Sequence, residues 1–412
     1  MTVQSTIDAY VDAHHDAQVA FLREIVRVPS DTPPGDNAPA AEKAATLLER
    51  LGHAVERHAV PEALLRDLGM LSVVNLIVRH RFGDGGPTIA LNAHGDVVPP
   101  GEGWTRPPYD GVIEDGRMYG RGVAVSKSDI ATYTYALEAL KAAERAGARL
   151  RGTVELHFTY DEELGGLAGP GWLLERGLTK PDYAIAASFS YAVVTAHNGA
   201  LQLEVIVHGK AAHGAMPKTG VDALRAANAM IAALYAEADG LEATTSSVLG
   251  IDSPTLIVGR IEGGINTNVV PDRVAFRLDR RMIPEEQPAV VEARVRALIA
   301  DAARAHPGVR VEIRRLLLAN ALTPRPGHER LVDALRRHGE RVFGEPIPAV
   351  GVPLYADARL YGERGIPIVM YGAGPRTILE SNAKRADENL KLDDMKRATK
   401  VVSCAVADLL SG

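Results

Sequence analysis

Two kinds of hydrophobic pattern alternate along the chain. Apolar residues recur at helical spacing, every third or fourth position, over 5–28, 36–52 and 129–147. Short runs rich in β-branched residues, typical of strands, cover 72–80, 88–96 and 152–163. Strands that alternate with helices in this way predict an α/β sheet whose active residues lie at the strand ends.

The pattern changes near residue 198. Strand-like runs follow at 201–209, 254–264, 273–283 and 308–319, and amphipathic helices at 221–239 and 288–305. This β-α-β-β-α-β order predicts a ferredoxin-like domain. Because α/β character returns at residue 320, we expect a mixed-sheet α/β catalytic domain formed by 1–197 and 320–412, with the ferredoxin-like domain inserted at 198–319.

Composition narrows the class of protein and its compartment. The chain has 412 residues, 46% hydrophobic and 24% charged, as in a globular protein of more than one domain. A net charge of −6 shows no excess of basic residues of the kind that binds nucleic acid. The single cysteine, Cys404, cannot form an internal disulfide, as is usual in a reducing compartment. The N-terminus does not resemble a signal peptide, and the apolar runs are too short to cross a bilayer. A soluble, cytoplasmic protein is expected.

The first candidates for chemistry follow two of the strands. His94 ends an apolar strand, and Asp96 lies on the same face, where it can orient the imidazole as a metal ligand. The alternative is a structural histidine beside a turn aspartate. In "FTYDEELGG", three consecutive acids at a strand end need a compensating charge, and a metal ion with a general base would explain two of them. The alternative there is a solvated acidic loop.

Seven blocks, in order, resemble the M20 metallopeptidase and deacylase family, which includes acetylornithine deacetylase, succinyl-diaminopimelate desuccinylase, aminoacylase and carboxypeptidases. They are "AHGDVVP", "GEGW" with "DGRMYGRG", "DEELGG", "VHGKAAHGAMP", "GGINTNVVPDR", "YADAR", and "YGAGP" followed by "ADENLKLDD". The resemblance implies a two-domain fold with an inserted lid or dimerisation domain. It also implies a homodimer that forms through 198–319.

The resemblance implies five protein ligands for two divalent ions, and this chain matches two of them. His94 and Glu163 occupy ligand positions. The bridging position holds Val125, the fourth holds Ser188 and the fifth holds Lys384. Valine offers no lone pair and an ammonium repels a dication, so the two-metal site of the family is not expected here.

Three arrangements of the altered site remain open. Asp129 lies one helical turn beyond the bridging position and can complete a set of His94, Glu163 and Asp129 for one Zn²⁺, Mn²⁺ or Co²⁺ ion. Alternatively, Asp129 only favours the start of its own helix. Lys384 can instead pair with Glu163 or Glu162, so that a side-chain cation takes the space of the metal.

The resemblance also assigns residues to catalysis and substrate binding. Glu162 matches the general base, and His213 matches a lid histidine that stabilises an oxyanion in a neighbouring subunit's site. Arg281 matches an arginine that holds a substrate carboxylate, and its alternative is an ion pair with Glu285 or Glu286. The remaining positions are Asp96, assigned to catalysis, and Asn268 and Gly374, assigned to substrate binding.

The predicted function is hydrolysis of an amide or related C–N bond in a small carboxylate-bearing substrate, at an altered site that holds one divalent ion if any. Two alternatives stay open. One is a catalytically degenerate homologue that binds a small molecule, and the other is hydrolytic deamination of an unusual, aromatic amine. No nucleic-acid or membrane partner is expected.

Overall fold

The computed structural model describes residues 2–411, which divide into two compact units. The first contains the described residues up to 195, 324–350 and those from 356 onward, and the second contains 196–323 and 351–355. The sequence pattern had placed 351–355 in the first domain. Backbone hydrogen bonds attach this stretch to the second unit, from Asn198 N to Val352 O (3.3 Å) and from Gly351 N to Leu249 O (2.7 Å).

Strands and helices are numbered here in chain order. The strands are β1 (Val55–Ala59), β2 (Val74–Gly83), β3 (Thr88–His94), β4 (Val112–Glu114), β5 (Arg117–Tyr119), β6 (Gly152–Thr159), β7 (Tyr183–Ala186), β8 (Val193–His197), β9 (Gly199–His208), β10 (Ala212–His213), β11 (Thr255–Gly263), β12 (Val269–Val270), β13 (Arg273–Met282), β14 (Arg310–Ala319), β15 (Ala349–Val352), β16 (Ile368–Met370) and β17 (Asn389–Lys391). The helices are α1 (Val3–Val26), α2 (Ala38–Arg50), α3 (Glu62–Leu68), α4 (Lys127–Arg145), α5 (Pro170–Glu175), α6 (Ala223–Leu241), α7 (Pro288–Arg304), α8 (His328–Phe343), α9 (Arg359–Glu363), α10 (Ile378–Ser381) and α11 (Leu392–Leu410).

An eight-stranded sheet organises the first unit, in the order β1-β2-β6-β3-β7-β16-β8-β15. Strand β3 runs parallel to β6 and β7, whereas β2 is antiparallel to β6, so the sheet is mixed. Strand β3 is buried from Ile89 to His94, which explains its nearly continuous apolar sequence. The mixed α/β class predicted from the pattern is confirmed.

The position of the site follows from the pairing of β3 with β6. These strands are parallel, and His94 lies opposite Thr159 at their carboxyl ends. Residues that follow the two strands therefore meet at one edge of the sheet.

The second unit contains a four-stranded antiparallel sheet in the order β11-β13-β9-β14. Helices α6 and α7 connect its strands in the order β-α-β-β-α-β, and this is the ferredoxin-like arrangement. Within residues 2–411, no helix is both long and apolar enough to cross a membrane.

Candidate active site

His94 lies at the end of β3 and is held by Asp96. The Nδ1 of His94 is 3.0 Å from the carbonyl oxygen of Asp96 and 3.4 Å from its Oδ1. A carbonyl oxygen only accepts, so Nδ1 carries the proton of this hydrogen bond. The other ring nitrogen, Nε2, is 3.9 Å from Oε2 of Glu162. The imidazole is thus hydrogen-bonded to the Asp96 backbone and lies between the carboxyl groups of Asp96 and Glu162.

Asp96 also fixes the turn that follows β6. Its Oδ1 accepts the N–H of Glu162 at 3.2 Å, and its Oδ2 accepts the N–H of Glu163 at 3.0 Å. The side chain of Asp96 is fully buried. Both oxygens accept backbone hydrogen bonds, and Oδ1 also lies 3.4 Å from His94 Nδ1. Asp96 therefore positions its neighbours, which differs from the catalytic role assigned to it from the sequence.

Glu162 and Glu163 begin a single 3₁₀ turn, Glu162–Leu164. Burial raises the pKa of the Glu162 carboxyl above its usual range, the neighbouring Glu163 raises it further, and His94 opposes the shift. Burial opposes the charge on His94, but the carboxylates of Glu162 and Asp96 outweigh it and raise the pKa of the imidazole. The acidic run is therefore not a solvated loop, since its first two members, Asp161 and Glu162, are buried.

The ammonium of Lys384 lies beside the carboxylate of Glu163. Its Nζ is 2.6 Å from Glu163 Oε2, and the Glu163 side chain is only 7% exposed, whereas that of Lys384 is 49% exposed. Partial burial opposes the ammonium charge, yet the carboxylates of Glu163 and Glu162 raise the pKa of Lys384 overall. Of the two ion pairs considered for Lys384, the structure contains the one with Glu163.

Asp129 does not join this cluster as a ligand. Its Oδ1 accepts the N–H of Ala373 at 2.6 Å, and a Cβ on Gly372 would lie 2.0 Å from the same oxygen. The neighbouring backbone therefore occupies the space around this carboxylate. Asp129 lies in the first turn of α4, which is the alternative placement considered from the sequence.

A divalent metal does not fit the side chains at this site. Between residues 2 and 411, no group of three or more His, Cys, Asp and Glu side chains is arranged to hold a metal ion. The predicted set of His94, Glu163 and Asp129 is therefore wrong as a ligand set, because Glu163 binds an ammonium and Asp129 binds backbone. Val125 supplies no lone pair.

Gly374 packs against the substituted position Ser188. Gly374 N donates to Ser188 O at 2.9 Å, and a Cβ on Gly374 would lie 2.7 Å from that oxygen. A glycine is needed here for close approach of two backbone segments. The contact brings two sequence-derived site positions together in the first unit.

In the second unit, His213 and Asn268 are neighbours. Strand β10 pairs with β12 so that His213 lies opposite Val269, and Gly214 N donates to Asn268 O at 2.7 Å. The Nδ1 of His213 accepts the N–H of Ala215 at 3.1 Å. This hydrogen bond leaves the proton of the neutral ring on Nε2, so His213 is an exposed hydrogen-bond donor.

Arg281 is held by a partner that sequence reasoning did not consider. Its Nε is 2.7 Å from Asp279 Oδ1, and its guanidinium lies 5.1 Å from the centre of the Tyr355 ring. The ion pair with Glu286 is made by the preceding residue, Arg280. The alternative pairing proposed for Arg281 is therefore wrong. The side chain of Arg281 is 28% exposed.

Glu388 is a site residue that the sequence analysis missed. It is buried, and its Oε1 accepts the N–H groups of Gly122 (3.1 Å) and Ala124 (3.0 Å). Its Oε2 forms an ion pair with Arg121 (2.5 Å) and also accepts the N–H of Lys384 at 3.3 Å. The sequence contained a signal for such an acid. Arg121 follows a strand-like run, and a guanidinium that is buried there requires an acidic partner.

Comparisons of the sequence with known proteins identify a family. The sequence profile of Peptidase family M20/M25/M40 matches residues 90–408. An acetylornithine deacetylase from Myxococcus xanthus is 29% identical over 389 residues, covering 91% of this chain and 93% of that protein. A succinyl-diaminopimelate desuccinylase from Gluconobacter oxydans is 30% identical over 279 residues, covering 64% and 67%.

A solved structure extends the likeness to the whole fold. An M20 family metallo-carboxypeptidase from Sulfolobus solfataricus matches with a TM-score of 0.77 at 18% identity, covering 95% of this chain and 98% of that one. The sequence matches, and not the fold alone, place the chain among hydrolases that act on amide C–N bonds. The chain belongs to peptidase family M20/M25/M40.

Proposed function

We propose that this protein hydrolyses an amide C–N bond in a small substrate that carries a carboxylate. The observation that best supports the proposal is the position of Glu162. It is a buried carboxyl group at the carboxyl end of β6, 3.9 Å from the Nε2 of His94. The two relatives described above are named for removing acyl groups from amines.

The chemistry assigned to Glu162 is proton transfer. In its ionised form, Glu162 takes a proton from a water molecule as the water oxygen attacks the amide carbon. It returns that proton to the amine nitrogen as the C–N bond breaks, which leaves a carboxylic acid, an amine and Glu162 in its starting state. The family resemblance adds two assignments to the proposal, Arg281 for the substrate carboxylate and His213 for an oxyanion in a neighbouring subunit's site.

The test is amine release from a panel of N-acetyl amino acids, N-succinyl amino acids and dipeptides. We expect Glu162→Gln to lower kcat about 100-fold or more, because the amide has the same size and accepts no proton. Glu340→Gln, an exposed glutamate on α8, is the matched control and should leave kcat unchanged. Full activity of Glu162→Gln on a substrate that the wild type hydrolyses would remove Glu162 from the mechanism.

A second candidate, binding of a small molecule without turnover, is favoured by the Lys384–Glu163 ion pair. An ammonium 2.6 Å from Glu163 occupies a position where the family resemblance implies a metal. This candidate predicts no amine release from any member of the panel, together with a rise in unfolding temperature when a member binds. Turnover of any member rejects it.

We also propose that the protein is a cytoplasmic homodimer that forms through the second unit. Strand β11 is the edge of its sheet, and two isoleucines on that strand, Ile257 and Ile261, are 55% and 53% exposed. An exposed edge with apolar side chains is a ready template for a second copy. A single buried thiol, Cys404, is consistent with a reducing compartment.

A further inference from the structure

The acids of the active site require a positive charge nearby. Glu162 and Asp96 are buried, and the side chain of Glu163 is 7% exposed. Closely placed carboxylates with so little solvent are costly unless a cation compensates them. The ammonium of Lys384 lies 2.6 Å from Glu163, and the imidazole of His94 lies 3.9 Å from Glu162.

The backbone around Lys384 holds it in this position. Lys384 has φ 61°, a left-handed conformation that is uncommon for a residue with a side chain. Its N–H donates to Glu388, which also accepts from Gly122 and Ala124 and is paired with Arg121. One buried carboxylate thus anchors both Lys384 and the loop that leads to Val125.

We infer that this centre is metal-independent and that the Lys384 ammonium is its resident cation, which neutralises Glu163 and binds an anionic oxygen of the ligand. An ammonium has three N–H donors, and the contact with Glu163 Oε2 uses one of them. Since the Lys384 side chain is 49% exposed, the remaining donors are accessible to a ligand carboxylate or to a developing oxyanion. The inference concerns the cation of the site, so it can be tested separately from the proposed hydrolysis.

The first test counts metal and needs no substrate. The purified chain is stripped with a chelator, exposed in turn to Zn²⁺, Mn²⁺ and Co²⁺, dialysed and analysed by inductively coupled plasma mass spectrometry. We expect no stoichiometric metal and no change in unfolding temperature with any ion. One ion per chain in the wild type, lost in His94→Ala, would overturn the inference.

A gain-of-binding variant supplies the comparison. Val125→Asp, Ser188→Glu and Lys384→His together restore lone-pair donors at the three substituted positions. We expect this variant to bind metal and to gain unfolding temperature with it. Should it fail to fold, the single variant Lys384→His is expected to bind metal more strongly than the wild type, and equal, stoichiometric binding by both would contradict the role given to Lys384.

The second test addresses the anionic oxygen, with succinate as the probe in isothermal titration calorimetry. Lys384→Met removes the charge and keeps most of the volume, whereas Lys384→Arg keeps the charge. We expect affinity for succinate to fall about 10- to 100-fold in the methionine variant, as for loss of a charge-assisted hydrogen bond, and to be largely restored by arginine. Equal affinity in the wild type and Lys384→Met would overturn this part of the inference.

The two tests separate the inference from the proposed function. If the wild type binds no metal and also hydrolyses nothing, hydrolysis is rejected and the metal-independent centre stands. If amide hydrolysis is found and is abolished by chelator, the hydrolase proposal stands and the metal-independent centre is rejected.

Discussion

At the scale of single residues, burial decides how the acids behave, and Asp129 shows this well. Burial raises its pKa from 3.8 to about 7, while the N–H of Ala373 and the charge of His94 oppose the shift. The native state therefore holds this proton more tightly than the unfolded chain does. The resulting stabilisation is fully present below about pH 4 and is lost as the pH rises through about 7.

Asp129→Asn should remove this pH dependence. Asparagine keeps an oxygen for the Ala373 N–H and carries no charge, so the variant should not lose the stability that the wild type loses between about pH 4 and pH 7. The difference should reach a few kcal/mol, at about 1.4 kcal/mol per pKa unit. Urea unfolding at several pH values measures it, and Asp16→Asn, an exposed aspartate on α1, is the control. Parallel pH profiles for the wild type and Asp129→Asn would contradict the argument.

At the scale of elements, one buried ion pair joins the loop after β5 to the segment before β17. Arg121 and Glu388 are each about 1% exposed, and Glu388 also accepts two backbone N–H groups of the loop. Removing one member leaves a buried charge without compensation. The local folds of both segments depend on the same contact.

Glu388→Ala is expected to lower the free energy of unfolding by about 3–5 kcal/mol, as for other broken buried pairs. The matched control is Glu62→Ala, which breaks the exposed pair with Arg66 on α3 and should cost about 1 kcal/mol or less. Chemical denaturation of both variants and the wild type measures the difference. Equal, small losses for the two variants would show that the Arg121–Glu388 pair is not needed for these segments.

The close approach of Gly374 to Ser188 makes a second prediction at this scale. Gly374→Ala places a Cβ 2.7 Å from the Ser188 carbonyl, so one of the two backbone segments has to move. We expect a lower unfolding temperature and weaker binding of the succinate probe. Gly344→Ala is unsuitable as a control because of its left-handed φ, whereas Gly240→Ala, with open space around its Cβ, is suitable. Unchanged stability and binding in Gly374→Ala would show that the contact is loose.

At the scale of the whole molecule, the proposed dimer predicts a mass in solution of about twice 44.0 kDa. Ile261→Lys puts a charge on the exposed edge strand β11 and should shift the mass toward that of the monomer. Ile113→Lys, at an isoleucine of the first unit that is 43% exposed, is the control and should leave the mass unchanged. Light scattering after size-exclusion chromatography measures all three proteins, and a wild-type mass near 44 kDa would reject the dimer.

Much of this fold could be predicted from local pattern. Strand β3 is buried on both faces and has a continuous apolar run, whereas strands of the second unit have alternating runs. The periodicity of apolar residues therefore indicates which faces of a strand are buried. The same periodicity indicated that His94 and the acidic run lie at strand ends. The stretch 351–355 was assigned to the wrong unit, because its attachment depends on backbone hydrogen bonds to residues distant in the chain.

What the sequence by itself determined is the main helices and strands, the mixed α/β class and the chemical types of the side chains at the site, including the absence of a lone pair at Val125. The tertiary structure alone decided which side chains are partners. Lys384 meets Glu163 across 221 residues, and the carboxylate of Asp129 meets Ala373 across 244. The physical reason is that periodicity records which faces are buried, whereas partner choice depends on distances of a few ångströms between segments that only folding brings together.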